Sequence, residues 1–88
     1  MPNTVDGHQV RYEKLPENFR DSLELYIEHR LQPGHFLTAV LSNDLFEAFG
    51  RGDEQSLAAL REVVRWLYNE APGNCYGSKE AVTAWLKR

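Results

Sequence analysis

At 88 residues the chain is long enough for one domain and too short for two. Its 42% hydrophobic and 26% charged content is that of a folded globular protein, which excludes a disordered chain, and no apolar run approaches the roughly 18 residues of a membrane span. A net charge of −3 gives no general attraction to phosphate, the lone Cys75 rules out an internal disulfide, and the polar start Met1-Pro2-Asn3-Thr4-Val5-Asp6 lacks the regions of a signal peptide, so a cytoplasmic protein is expected.

Residues 1–14 read as an N-terminal arm and residues 15–88 as a single helical domain. In the arm, Asp6-Gly7 is a turn signal, and Val10 and Tyr12 alternate with polar neighbours. A short strand and an extended arm packed on the helices fit that pattern equally. The first helix is expected from Pro16, whose missing N–H costs nothing at a first helical position. Phe19, Leu23, Tyr26 and Ile27 share its inner stripe, while Leu25 falls on the opposite side, exposed alone or making a second contact. Gln32-Pro33-Gly34 ends it, because a residue before proline is driven out of the α region.

The stretch from His35 to Phe49 is apolar nearly all round, which predicts a central position with neighbours on several sides. An unbroken helix there would set Asp44 beside Leu37, Leu41, Leu45 and Ala48, a costly place for an unpaired charge. A bend is the cheaper arrangement, with Ser42, Asn43 or Asp44 capping a new short helix and Glu47 completing a capping-box-like spacing. Gly50-Arg51-Gly52 breaks the helix, and Asp53 caps the next one. On that helix Leu57, Leu60, Val64, Leu67 and Tyr68 make the expected core stripe, flanked by Val63. Pro72-Gly73 closes it, Asn74-Cys75-Tyr76-Gly77 forms a tight loop, and Ser78 caps a last helix with Val82, Trp85 and Leu86 inside. The resulting expectation is an all-α fold, a compact bundle of four to five short helices with an extended N-terminal arm.

No pattern of catalytic residues emerges. Cys75 stands beside Tyr76 in an apolar loop, where a buried structural thiol is the commoner outcome. Asp21, Glu24 and Glu28 have helical spacing that predicts a solvated face on the first helix. His8, His29 and His35 lack metal-ligand spacing, and Gly50 and Gly52 do not match a phosphate-binding loop. An enzyme is therefore not expected, nor any cofactor or metal. Charge is uneven: residues 15–50 sum to −4 and residues 71–88 to +2. A nucleic-acid-binding regulator would have to use Arg51, Arg61, Arg65, Lys87 and Arg88, but Glu54, Glu62 and Glu70 interleave with the arginines of the long helix. Trp66 points almost opposite the Leu57–Leu67 stripe. Either the arm or the last helix covers it, or it is a partner-binding anchor of the kind tryptophan often supplies.

The stretches Tyr26–Leu45 (YIEHRLQPGHFLTAVLSNDL) and Trp66–Ser78 (WLYNEAPGNCYGS) resemble a group of short proteins encoded in bacteriophages and proteobacterial prophages, over about residues 15–85. The resemblance implies no cofactor and no assigned site. It implies a context, in which small accessory proteins bind a host or phage protein and change its activity, inhibitors of bacterial defence systems among them. The leading expectation is thus a non-catalytic protein-interaction module, with Asp21, Glu24, Glu28, Trp66, Asn74 and Tyr76 as candidate contacts.

Overall fold

The computed structural model describes residues 3–5 and 7–88. It is all-α apart from one small hairpin. Strands β1 (Asn3–Val5) and β2 (His8–Val10) pair antiparallel with Val5 opposite His8, and Gly7, at φ 77°, takes a conformation open to glycine without strain. Asp6, the other half of the expected turn, lies outside the described residues. A 3₁₀ turn follows at Tyr12–Lys14, so Tyr12 belongs to that turn and not to a strand. Five helices complete the chain: α1 (Glu17–His29), α2 (His35–Leu41), α3 (Leu45–Arg51), α4 (Glu54–Glu70) and α5 (Lys79–Leu86). Pro16 stands at the cap of α1, one position before its expected place.

The bend between α2 and α3 is built as the Asp44 conflict requires. Asn43 adopts the left-handed conformation, its N–H donates to Val40 O, and Asp44 N–H donates to Ala39 O, which together close α2. The Asp44 carboxylate then accepts from Glu47 N–H and opens α3. The reciprocal half of a capping box is missing, because Asp44 N–H is already spent on α2 and the Glu47 carboxylate pairs with Arg51 at 3.3 Å. Asp53 and Ser78 cap α4 and α5 by accepting from Ser56 N–H and Ala81 N–H.

The centre of the core is Leu23, Tyr26 and Ile27 of α1 with Leu41, Val63, Cys75 and Trp85, all sealed from solvent. Cys75 is the buried thiol expected of it, and burial pushes its pKa up to about 12. Two long-range hydrogen bonds join these parts: Tyr26 hydroxyl donates to Cys75 O at 2.7 Å, and Trp85 Nε1 donates to Tyr26 O at 3.1 Å.

The N-terminal segment is no loose arm. Val10, Tyr12 and Leu15 are core residues, and Arg20 of α1 holds the 3₁₀ turn by donating to the carbonyls of Tyr12, Glu13 and Leu15. This segment decides between the two readings of Trp66: the arm covers it, and it is not an exposed partner-binding anchor. The tryptophan is 3% exposed, its Nε1 donates to Arg11 O at 2.9 Å, and its ring lies 5.7 Å from that of Tyr12. Arg11 also grips the buried Glu70 with two 2.9 Å contacts, Nε to Oε1 and Nη2 to Oε2.

Burying Trp66 turns α4. Its inner face is Val63, Trp66, Leu67 and Glu70, about one residue step (roughly 100°) from the stripe expected on periodicity. Val64 and Tyr68, expected inside, are exposed, while Leu57 and Leu60 are only half-buried. A tryptophan and a covering segment outweigh a valine and a tyrosine, since the indole buries more apolar area and its N–H finds an acceptor.

Candidate functional site

The rotation of α4 and the separate direction of α3 leave an apolar face without a cover. Helix α3 was expected to be central, yet of its residues only Ala48 is buried. Leu45, Phe46 and Phe49 stand out from it, with Phe46 at 89% exposure. One neighbouring strip is Val64 and Tyr68 of α4, the latter at 80%. Between the two helices runs an almost wholly apolar groove of about 100 Å³, lined by Val40, Leu45, Ala48, Leu60 and Val64, with Asn43 and Asp44 at one end. Phe49 is one helical turn from Leu45, and Tyr68 is one turn from Val64, so the four extend the groove as one surface.

The capping at Asn43–Asp44 positions this face. By ending α2 and restarting the chain, it turns Leu45 toward α4 and leaves Glu47 on the opposite side of α3, above a hollow shared with Thr38 and Lys79. Gly52 fixes the other end. A Cβ there would stand 2.8 Å from the Phe36 ring and 3.1 Å from Ala48 O, so only glycine lets the chain pass under the ring into α4.

The six contacts expected from sequence do not form one surface. Trp66 is inside. Asp21 is exposed and, with the half-buried Glu24, edges a shallow hollow beside Leu25 and His29. Glu28 is not part of a fully solvated face: its Oε2 is shut off from water, as is the Tyr12 hydroxyl, and neither has a well-formed hydrogen bond. Burial first, and Glu28 second, raise the Tyr12 phenol well above its ordinary range, so it stays protonated. Asn74 is exposed and Tyr76 half-buried. Burial raises the Tyr76 pKa, and Cys75 and Tyr68 add smaller shifts in the same direction.

Two of the five basic residues are engaged within the chain. Arg51 pairs with Glu47, and the Arg88 guanidinium lies 4.3 Å over the Trp85 ring. Arg61 and Arg65 are exposed along α4. A wide hollow of about 580 Å³ lies over the other flank of α4, lined by Lys14, Arg65 and Glu62 beside the Arg11–Glu70 pair. Its opposing charges select no ligand of one sign. Among the described residues no group of three or more His, Cys, Asp or Glu gathers in a metal-binding arrangement, and no described helix is long and apolar enough to cross a membrane.

This surface was not expected from the sequence. Its signal was present: α3 is apolar on more sides than a seven-residue helix has neighbours, and α4 carries one apolar stripe more than a core needs. No family model, curated protein or solved structure matches the chain.

Proposed function

We propose that the chain is a non-catalytic protein-interaction module that docks through the apolar face of α3 and α4. One observation carries the reading: Leu45 and Val64 line an apolar groove between α3 and α4, and Phe46, Phe49 and Tyr68 of the same two helices are exposed. Scattered apolar residues are ordinary on a protein surface, but three exposed aromatic rings on the two helices that frame an apolar groove are the composition of a binding site. Aromatic side chains supply most of the anchors that hold protein complexes. The resemblance to short phage and prophage proteins adds a context of accessory proteins that bind and modulate a host or phage protein.

Two variants test the surface. Phe46→Glu and Val64→Glu place a charge where water already reaches, so the melting transition is expected to stay within a few degrees of the parent. Protein association, measured by quantitative capture from host lysate and by crosslinking, is expected to fall sharply in both. Undiminished association in both variants removes this face from the function. Micromolar, salt-sensitive binding to duplex DNA would favour the regulator reading instead.

A further inference from the structure

We infer that the groove between α3 and α4 takes an amphipathic helix of a partner protein, one aliphatic side chain seated between the walls and an arginine or lysine beside it paired to Asp44. The inference rests on the docking surface proposed above and names the chemistry of its occupant.

Shape sets the first requirement. At about 100 Å³ the groove is well below the roughly 300–1,000 Å³ of sites that enclose a small molecule, so it suits one side chain of a larger partner. Its walls come from α2, α3 and α4. Helix faces present side chains, not the open row of N–H and C=O groups that an extended strand needs for pairing. A partner helix brings its own backbone hydrogen bonds and offers anchors one turn apart. That spacing matches Leu45 and Phe49 on α3 and Val64 and Tyr68 on α4.

Charge sets the second. Of the residues that line the groove only Asp44 is charged, and it stands at one end with Asn43, both exposed. Its Oδ1 accepts from Glu47 N–H at 3.2 Å, and among the described residues its carboxylate forms no salt bridge. Arg51, the nearest cation along the chain, pairs with Glu47 instead. Arg61 and Arg65 are exposed on α4 but do not line the groove. An apolar trough ending in a carboxylate without a cation of its own complements an apolar side chain with a basic neighbour. The wider field agrees. The chain carries −3 and residues 15–50 carry −4, so a basic segment is drawn in and an acidic one repelled.

Peptides selected from a random library on the immobilised intact chain test this chemistry. Binders that Val64→Glu no longer retains are expected to carry Arg or Lys within one helical turn of an apolar anchor, and to gain helical circular dichroism on mixing. In the tightest of them, replacing that cation with glutamate is expected to weaken binding to the parent at least about fivefold at low salt. Asp44→Asn removes the charge and keeps a good capping residue, so its melting temperature is expected to match the parent. Against this variant the same peptide replacement is expected to cost much less, which assigns the cation to Asp44 and not to the overall charge. Equal losses on the parent and on Asp44→Asn, or groove binders without an excess of Arg and Lys, overturn the pairing and leave the docking surface standing. Groove binders that gain no helix overturn the helical occupant. Binders that Val64→Glu retains as well as the parent overturn the docking surface too. A parent that sediments as a dimer, and as a monomer in Val64→Glu, gives the groove to a second copy and overturns the partner helix.

Discussion

Tyr26 ties the first helix to the loop before the last one, since its hydroxyl donates to Cys75 O while its own carbonyl accepts from Trp85 Nε1. Tyr26→Phe leaves that buried Cys75 carbonyl without its donor and is expected to cost about 1–3 kcal/mol by chemical denaturation. The same site sets a response to alkali. Burial raises the Cys75 thiol to about 12 and holds the Tyr26 phenol above its ordinary range, so the folded state keeps protons that the unfolded chain releases. The stability from Cys75 is complete below its unfolded pKa, near 9, and drains away as pH rises toward 12. Melting temperature is therefore expected to fall through that window, and less steeply in Cys75→Ala, which has no thiol to ionise; equal slopes would contradict it. Gly52 shows a steric limit of the same local kind. Gly52→Ala drives a methyl into the Phe36 ring and is expected to destabilise by about 1–3 kcal/mol, whereas Gly50→Ala, with open space at its Cβ, is expected to cost little or stabilise slightly.

Helix boundaries follow local rules almost throughout. Asp44, Asp53 and Ser78 each accept an N–H three residues on, and these are positions where a capping residue precedes an apolar run. Ser78→Ala is expected to cost about 1 kcal/mol, and Ser78→Asp much less, both readable from thermal melts. The Asp53 carboxylate is held below its usual range chiefly by the Ser56 backbone N–H. Its contribution is present above the unfolded pKa and is lost as pH falls through the lowered folded value, so Asp53→Asn is expected to flatten the acid limb of the stability profile. Arg20 acts between elements. Its guanidinium holds three carbonyls of the N-terminal turn, an arrangement that the ammonium of lysine does not reproduce. Arg20→Lys is accordingly expected to loosen that segment, seen as faster amide exchange at Lys14 and Leu15, whose N–H groups close the turn.

For the molecule as a whole, the N-terminal segment decides which side of α4 is inside. It brings Tyr12 against Trp66, supplies the acceptor for the indole and neutralises Glu70 through Arg11. Removing residues 1–11 is expected to shift tryptophan emission to the red and lower the melting temperature, because Trp66 and the Glu70 carboxylate lose their cover together; unchanged emission would contradict this account. Periodicity, caps and breakers were enough to bound the helix count at four to five and to determine the break near Asn43–Asp44 and the stripe of α1, since each depends on residues a few positions apart. They also marked Cys75 as buried, while of the two alternatives left open for Leu25 the structure takes the exposed one. They did not determine which of two apolar faces of α4 is covered. That choice is between Trp66 under a segment some 55 positions away and Val64 with Tyr68 under nothing, and only chain packing supplies the difference in buried area. The docking face was hidden for the same reason. Leu45, Phe46 and Phe49 are chemically indistinguishable from core residues, and a helix shows how many apolar sides it has but not how many neighbours it will meet.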